Sequence, residues 1–373
     1  MGRLAGIEIA IDRSWLLIFG LITFSLARRF AGDQAEWGVF ERWGTALVTS
    51  LLFFTSIVLH ELGHSLVALR CGVDVKRITL FLFGGMAELD SEPRRPRDEI
   101  AIAVAGPLAS VAIGLCFGAL AGVLHNVPMG LGPLVAEACS WLSTINVVLA
   151  AFNCLPGFPL DGGRVLRGIV WWATGDFRRA TALATRAGSV VAYGLMGLGL
   201  FSAMMTGSWL GGLWLVFIGW FLLSAGRATL AQSTFESVLS QLMVGRICEP
   251  VVLGQISGME SVDKLAREGV LGRGLRHFYV VDSAGVLRGL VALAELAAVP
   301  EPERMSTRAD EIMRPIVDLA TVDPDDSAWT ALRRMAETGV GQLPVIERGR
   351  LRGTIRREHL LDLVRGALAL QSP

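Results

Sequence analysis

Long apolar stretches, each with at most one charged residue, occupy most of the first 230 positions of the chain. A bilayer core is about 30 Å thick and a helix needs roughly 20 apolar residues to cross it, so each of these stretches predicts a membrane span. Six such stretches are present, of which the first is the shortest: Ser14 to Ala27, Thr45 to Leu69, Ile100 to Leu124, Leu134 to Leu155, Ala187 to Met205 and Trp209 to Gly226. Thr206-Gly207-Ser208 predicts a tight turn between the last two. The pattern excludes an ordinary soluble fold.

Charge is distributed unevenly along the chain. Residues 1–230 contain 32 charged side chains, whereas residues 231–373 contain 36 in a shorter segment. This step predicts a membrane domain at 1–230, a linker at 231–244 and a soluble domain at 245–373. Lys plus Arg and Asp plus Glu number 34 each, so the chain has no overall basic field and no nucleic acid partner is expected.

The positions of the cations predict the orientation in the membrane. Cytoplasmic loops of membrane proteins are enriched in Lys and Arg. If the N-terminus is cytoplasmic, thirteen cations between Arg3 and Arg186 fall on the inner side and three, Arg28, Arg29 and Arg42, on the outer side. The sequence therefore predicts a multi-pass protein of the inner (plasma) membrane, embedded in the lipid bilayer, with both termini in the cytoplasm.

The C-terminal part contains an approximate duplication with an offset of about 64 residues. Leu287-Arg288-Gly289 returns as Leu351-Arg352-Gly353. Each copy predicts a short leading segment, Ile247 to Pro250 or Ile312 to Pro315, followed by a helix, two strands around a polar turn and a second helix. The pattern resembles a tandem pair of cystathionine-β-synthase (CBS) modules.

The resemblance to CBS pairs implies a regulatory module that binds an adenosine nucleotide and forms a homodimer. Those modules commonly carry Thr or Ser and then Asp after the second strand. This chain instead has Ala292 and Glu295 in the first copy, and Arg356 and His359 in the second. The departure argues against a standard ribose and phosphate site. A structural or dimerising module is the alternative.

The second apolar stretch contains His60-Glu61-Leu62-Gly63-His64. On a helix with 3.6 residues per turn the two histidines lie one turn apart on the same face, so both imidazoles can reach one metal ion. Glu61 lies beside them and can contact a metal-bound water, as in zinc hydrolases. Ionisable groups at membrane depth cost roughly 2.5–3.5 kcal/mol each and persist where a cavity or partner satisfies them. The alternative is that the histidines only bond neighbouring helices while the glutamate reaches the membrane interface.

A third zinc ligand is expected after the fourth apolar stretch, because two histidines and a water leave tetrahedral zinc one protein ligand short. Pro156, Gly157 and Pro159 break the helix there, which at membrane depth is tolerated only where the backbone lines a cavity. Asp161 follows this break and is the preferred ligand for one Zn²⁺ per chain. An Asp before two glycines is also typical of a turn or a helix cap.

His-Glu-Leu-Gly-His in a transmembrane helix, followed by Asn153 and then Pro-Leu-Asp-Gly-Gly at 159–163, resembles the site-2 protease family of intramembrane zinc metalloproteases. The resemblance covers nearly the whole chain, since microbial members share the six-span layout and some carry a C-terminal CBS pair. It implies that His60, His64 and Asp161 bind zinc. It also implies that Glu61 is the general base and that Asn153 holds the substrate or the developing oxyanion. Helix-to-helix hydrogen bonding is the alternative role of Asn153.

The segment from Val75 to Leu89 is rich in strand-forming residues and is interrupted at Gly84-Gly85. In the site-2 protease family a comparable membrane-embedded sheet borders the active site. A peptide must be extended to be cut, and pairing at Gly84, Gly85 and Met86 would replace the hydrogen bonds that its helix loses. The alternative is a hairpin that only fills the membrane interface. The expected fold class is a multi-span α-helical membrane protein with a small membrane-associated β-hairpin or sheet, plus a soluble α/β tandem CBS module.

The resemblance implies an endopeptidase that cleaves transmembrane segments of single-span membrane proteins, such as an anti-sigma factor or a signal-peptide remnant, under regulation by its CBS pair. Two other classes stay open. A membrane transporter or metal carrier gated by the CBS pair would explain the buried ionisable groups but not the position of Glu61, and an inactive relative would only bind membrane peptides. Replacing Glu61 by Gln separates the first two, because a protease keeps zinc and loses cleavage.

Overall fold

The computed structural model describes residues 2–4, 6–32, 37–81, 84–89, 92–125, 132–251 and 254–371. The chain forms two compact units, Met1–Ala231 and Gln232–Pro373. The elements that begin in the first unit are β1 (Gly2–Leu4), β2 (Ile7–Ile11), α1 (Trp15–Gly32), α2 (Val39–Arg70), β3 (Val75–Phe81), β4 (Gly84–Leu89), α3 (Pro96–Leu124), α4 (Gly132–Asn153), α5 (Asp161–Thr174), α6 (Phe177–Thr206) and α7 (Trp209–Gln241).

Five of the described helices, α2, α3, α4, α6 and α7, are long and apolar enough to cross a membrane. They contain the last five of the six predicted spans, except that the fourth runs two residues past the end of α4. Helix α6 ends at Thr206, and the next residue, Gly207, has a φ of 68°. The first predicted span, Ser14 to Ala27, is not among them. It has only 14 residues, fewer than the roughly 20 that a bilayer requires, and Arg28 and Arg29 follow within the same helix α1.

Helix α1 packs against α2 through aromatic rings and one polar contact. The ring of Trp15 lies 4.8 Å from that of Phe19 and 5.1 Å from that of Phe54, measured between centroids. The hydroxyl of Thr23 donates a buried hydrogen bond of 2.9 Å to the Ser50 hydroxyl. These contacts place α1 beside the helix that carries the two histidines.

The strand-rich segment forms part of a four-stranded sheet with the order β1-β2-β3-β4. Strands β2 and β3 are parallel, while β1–β2 and β3–β4 are antiparallel. The two glycines at 84 and 85 are the first residues of β4, where they pair with Phe81 and Leu80. The part of the predicted hairpin at 82–83 lies outside the described residues. Because β4 is the last strand in this order, it forms one edge of the described sheet.

Strands β1 and β2 are not among the sequence predictions, because their apolar alternation covers only a few residues. Ile7 of β2 and Ile78 of β3 are buried together with Leu62 of α2. The sheet is thereby attached to α2 within the turn that separates His60 from His64.

Small residues allow α2, α3 and α4 to approach closely. A Cβ added at Gly63 of α2 would lie 3.0 Å from the Ala105 carbonyl oxygen of α3. One added at Gly114 of α3 would lie 3.0 Å from the Val147 side chain of α4. Such contacts are typical of membrane helix pairs, where apolar transfer supplies little driving force and close packing supplies more.

The second unit contains α8 (Val244–Ile247), β5 (Gln255–Ser257), α9 (Val262–Lys264, continued by a π-helical segment at Leu265–Leu271), β6 (His277–Val281), β7 (Leu287–Ala292), α10 (Leu293–Ala298), α11 (Ala309–Ile312), β8 (Arg314–Pro315), α12 (Ala328–Thr338), β9 (Gln342–Glu347), β10 (Arg350–Arg356) and α13 (Arg357–Gln371). Strands β6–β7 and β9–β10 form the two hairpins of the duplication, each antiparallel.

The two copies exchange their leading segments. Strand β8, which leads the second copy, pairs with β7 of the first copy at Leu290 and Arg314. Glu249, in the segment that leads the first copy, pairs with Thr354 of β10 in the second. The duplication alone predicts each leading segment as part of its own copy. The exchange instead ties the copies into one module, and the Tyr279 hydroxyl donates to Thr354 Oγ1 at 3.1 Å.

Candidate metal centre

Two histidines of α2 face the same point from consecutive turns of the helix. His60 and His64 are both buried, and their Nε2 atoms lie 3.2 Å apart. Their spacing of four residues produces this placement on any regular helix. Among apolar helices, two imidazole nitrogens at this distance need a shared polar partner.

Asp161 is brought to the same point by the break after α4. That helix ends at Asn153, and the irregular connection through Leu160 leads to α5, which begins with Asp161. Its Oδ2 atom lies 3.3 Å from Nε2 of His60 and 3.2 Å from Nε2 of His64. The structure therefore brings together all three residues that the sequence analysis selected as ligands.

The three donor atoms have the separations that tetrahedral zinc requires. Zinc binds histidine nitrogen and carboxylate oxygen at about 2.0–2.2 Å, so tetrahedral ligand atoms lie roughly 3.3–3.4 Å from one another. The three separations between the donor atoms are 3.2, 3.2 and 3.3 Å. Two imidazoles and one carboxylate also match the ligand sets of catalytic zinc sites, which keep the fourth position open. The residues present fit one zinc ion.

Gly106 of α3 has no side chain, and this keeps the space between the ligands open. A Cβ added at Gly106 would collide with Nε2 of His64 and lie 2.7 Å from Nε2 of His60. Heavy atoms in normal contact are about 3.5 Å or more apart. Any residue other than glycine at position 106 would therefore occupy the space that a metal ion needs.

Two groups of α3 orient the imidazoles. Nδ1 of His60 lies 2.9 Å from the Ser110 hydroxyl, and Nδ1 of His64 donates to the Ile102 carbonyl at 2.7 Å. Because a carbonyl can only accept, Nδ1 of His64 carries its proton and Nε2 is left to bind a metal. Neither Gly106 nor Ser110 is among the residues that the sequence predicts for the site, because nothing local distinguishes them from small residues that only pack helices together.

Glu61 lies beside the three ligands and against the edge strand β4. A Cβ added at Gly85 would be 2.6 Å from Cγ of Glu61 and 3.3 Å from its Oε1 atom. Because Gly85 has no Cβ, the backbone of β4 can lie against the Glu61 side chain. Glu61 is adjacent to the ligand His60 but is not one of the three grouped residues.

The two asparagines near the site differ in their surroundings. Asn146 is fully buried, and its amide donates to the Leu142 carbonyl at 2.8 Å and to the Ser56 hydroxyl at 3.4 Å. It joins α4 to α2 and has a packing role. Asn153 is half-buried at the end of α4, and no hydrogen bond of its side chain is found within the described ranges. The place of Asn153 in the site therefore stays a prediction from the sequence.

A buried ion pair joins α5 to the beginning of α3. Oε1 of the fully buried Glu99 accepts from Arg167 Nη2 at 2.5 Å and from Arg167 Nε at 3.1 Å. Arg164, one turn after Asp161, lies 3.5 Å from the same oxygen. These contacts fix the helix that begins with Asp161 against the helix that carries Ile102. This pair is not among the residues predicted from the sequence, where a charge at the margin of an apolar stretch is its one signal.

Two histidines one helical turn apart, a distant carboxylate and an adjacent glutamate, all enclosed by membrane helices, define the class of membrane-embedded metallohydrolases. Comparison with known sequences gives the family. Residues 48–131 and 132–195 match Peptidase family M50, and residues 309–366, in the second copy, match the CBS domain.

Two sequence relatives of similar length support the match. Rip3 of Mycobacterium tuberculosis is 36% identical over 94% of this chain and 88% of its own length. The protein sll0528 of Synechocystis is 32% identical over 99% of this chain and 96% of its own length. Both are named as zinc metalloproteases. The solved structure of the site-2 protease from Methanocaldococcus jannaschii is 28% identical, covers 62% of this chain and 94% of its own, and superposes with a TM-score of 0.42.

The chain belongs to peptidase family M50. It is a site-2-protease-like zinc metalloendopeptidase of the membrane, joined to a CBS module. The family assignment confirms the resemblance drawn from the two sequence motifs, the enzyme class and zinc as the cofactor.

Proposed function

We propose that this protein is an intramembrane endopeptidase in which His60, His64 and Asp161 hold one zinc ion. The observation that carries the proposal is the group of three donor atoms within 3.3 Å of one another, buried beside Glu61 on a membrane-spanning helix. When bound, zinc polarises a peptide carbonyl and lowers the pKa of a water molecule from about 15.7 to about 7. The protein supplies orientation and proton transfer.

Glu61 is the proposed general base. Such a base must come within hydrogen-bond reach of the proton that it removes, and Glu61 follows the ligand His60 directly while staying outside the ligand group. Its carboxylate takes a proton from the attacking water and returns it to the amine of the leaving peptide. Asn153 is the last residue of α4, next to the broken segment that leads to Asp161. Its proposed role is to bind the substrate backbone with its side-chain amide.

The proposed substrate strand pairs with β4. Strand β4 is the last in the order of the described sheet, so the backbone groups on its outer side are not used by β3. Gly84, Gly85 and Met86 form its beginning, Gly85 touches Glu61, and Met86 is 50% exposed. A substrate strand at this edge would have its carbonyls beside the proposed base. Strand addition would also supply the hydrogen bonds that an unwound membrane helix loses.

Comparison of Gly85→Pro with Gly85→Ala tests the substrate strand. Both variants add a Cβ beside Glu61, but only proline removes a backbone donor from the edge strand. Cleavage should therefore fall further in Gly85→Pro than in Gly85→Ala, and by more than zinc content. Zinc content is measured by elemental analysis of the same purified sample that is assayed for cleavage. An equal loss of both would count against strand addition.

The proposed substrates are single-span membrane proteins, of the anti-sigma factor or signal-peptide remnant class. A site enclosed by spanning helices is reached by a segment that already lies in the bilayer. The proposed location is the inner membrane with both termini in the cytoplasm. Two cytoplasmic termini need an even number of spans, so this orientation requires α1 to cross in addition to the five helices above. Labelling of single cysteines introduced at Arg3 and Arg365 in sealed vesicles tests it.

The proposed role of the CBS module, residues 245–373, is regulation through an adenosine nucleotide and a homodimer. The four residues that depart from the usual nucleotide site are partly used within the protein. Glu295 accepts from Arg314 at 2.6 Å, and Glu249 accepts from Arg356 at 2.5 Å. A nucleotide at this module would have to displace these pairs or bind elsewhere. Titration of the full chain with AMP and ATP, followed by thermal unfolding, distinguishes binding from a purely structural module.

The direct test of the function compares wild-type protein with Glu61→Gln on single-span peptide substrates in proteoliposomes. Glu61→Gln should retain one zinc per chain and lose cleavage by at least about 100-fold, since general-base catalysis contributes about 10²–10⁴-fold. Glu41→Gln on the same helix is the matched control and should keep both properties. A metal carrier would tolerate the loss of Glu61, so zinc flux through Glu61→Gln without peptide cleavage by the wild type would overturn the proposal.

A further inference from the structure

An apolar groove lies between α3, α5 and the connection that precedes α5. It encloses about 420 Å³ and is lined by Ala103, Pro107 and Val111 from α3 and by Val165 and Ile169 from α5. Pockets that hold small molecules typically measure about 300–1,000 Å³. The groove can therefore receive apolar side chains of a bound peptide. We call it the α3–α5 groove.

The α3–α5 groove is continuous with the metal centre. Asp161, whose Oδ2 atom meets both histidines, is the only charged residue among the described residues that line it. On α3, Ala103 and Pro107 stand on either side of Gly106, which faces the same histidines. A peptide whose scissile bond lies at the metal centre would therefore project a neighbouring side chain into the groove.

The position of the groove favours a peptide over a lipid tail as its occupant. Asp161 lines the groove and also contacts both histidines, so a peptide bound at the metal centre lies next to the groove. The acyl chain of a lipid has no polar group for this carboxylate, and burying an unpaired polar group is unfavourable.

We infer that the α3–α5 groove is a substrate subsite that receives an apolar side chain adjacent to the scissile bond and so determines cleavage preference. This inference rests on the proposed function. The subsite is separate from the β4 edge, because β4 touches Glu61 of α2 whereas the groove is formed by α3 and α5. In the proposed complex, β4 aligns the substrate backbone beside Glu61, and the α3–α5 groove binds and so selects a side chain.

The test measures preference within each enzyme variant by competition. Full-length protein in proteoliposomes receives equimolar mixtures of single-span peptides that carry Ala, Leu or Phe at each position flanking the mapped scissile bond. Mass spectrometry of the products gives ratios of kcat/KM that do not depend on the amount of active enzyme. Wild type should prefer Leu to Ala by about tenfold or more at one flanking position.

Variants that fill the groove and variants that enlarge it should shift the side-chain preference in opposite directions, toward smaller and toward larger residues. Ile169→Phe and Val165→Phe fill the groove and should bring the ratio of Leu to Ala close to one. Val165→Ala enlarges it and should raise the ratio of Phe to Leu, which keeps the test decisive if a filling variant fails to fold. Leu115→Phe, one turn beyond Val111 and 67% exposed, is the matched control and should keep the wild-type ratios.

The outcomes separate this inference from the proposed function. Cleavage by wild type with the same ratios in all groove variants would overturn the subsite alone. Absence of any cleavage by wild type would overturn the proposed function and the subsite with it. Altered ratios in Leu115→Phe equal to those in the groove variants would also refute the subsite, because they would show a general effect on α3.

Discussion

Replacing Gly106 by Ala perturbs the metal centre without removing a ligand. The added Cβ would collide with Nε2 of His64 and lie 2.7 Å from Nε2 of His60. Restoring a normal contact of about 3.5 Å requires a displacement of about 0.8 Å between the methyl group and the His60 ring. Neither neighbour can move freely, because Ser110 and Ile102 hold both rings by their Nδ1 atoms.

Zinc sites tolerate deviations of only about 0.2 Å in ligand distance. A displacement several times larger should lower zinc affinity by at least about 100-fold, which corresponds to about 2.7 kcal/mol. The assay is zinc retention by the full-length protein against a series of competing chelator concentrations, with cleavage measured in parallel. Gly122→Ala on the same helix, where an added Cβ meets nothing within 4 Å, is the matched control and should bind zinc like the wild type. Wild-type zinc affinity in Gly106→Ala would refute the proposed position of the ion.

Three further substitutions test the surroundings of the site. Ser110→Ala removes the partner of His60 and should lower zinc affinity by about 10–100-fold in the same chelator assay, with the helix content unchanged. Glu99→Ala leaves Arg167 buried without its partner and should destabilise the membrane unit by about 3–5 kcal/mol in a denaturant titration, whereas the double variant with Arg167→Met should recover part of that loss. Gly85→Ala places a Cβ 2.6 Å from Cγ of Glu61 and should lower kcat while zinc content stays at the wild-type level.

Each of the three would be contradicted by a specific result. Unchanged zinc affinity in Ser110→Ala would show that the hydroxyl does not orient the ligand. A double variant as unstable as Glu99→Ala would show that the buried charge is not the cause of the loss. Loss of zinc from Gly85→Ala would show that β4 supports the ligands rather than the base.

The histidines and the spans were predictable because their signals are local. Four-residue spacing fixes the relation between His60 and His64 on any helix, and an apolar stretch is visible in the sequence without knowledge of its neighbours in the fold. The proximity of Asp161 required one more step, in which the helix break at Pro156 and Pro159 and the open ligand position of zinc were considered together.

The remaining features depend on tertiary contacts. Gly106 and Ser110 lie in a segment of small residues whose composition already suits close helix packing, and only the approach of α2 gives them a further role. Glu99 and Arg167 meet across 68 positions of the chain, and neither belongs to a recognisable motif. Helix α1 is longer than the apolar stretch that predicts it, because Arg28 and Arg29, which end that stretch, still belong to the helix.

Zinc-edge X-ray absorption of the full-length protein measures the central claim most directly, when wild type is compared with Asp161→Ala. The account predicts one zinc per chain in the wild type, with nitrogen and oxygen ligands at about 2.0–2.2 Å. Asp161→Ala should lose most of the metal or one oxygen ligand. A wild-type protein that cleaves peptides without bound zinc, or a zinc spectrum that is identical in the two proteins, would contradict it.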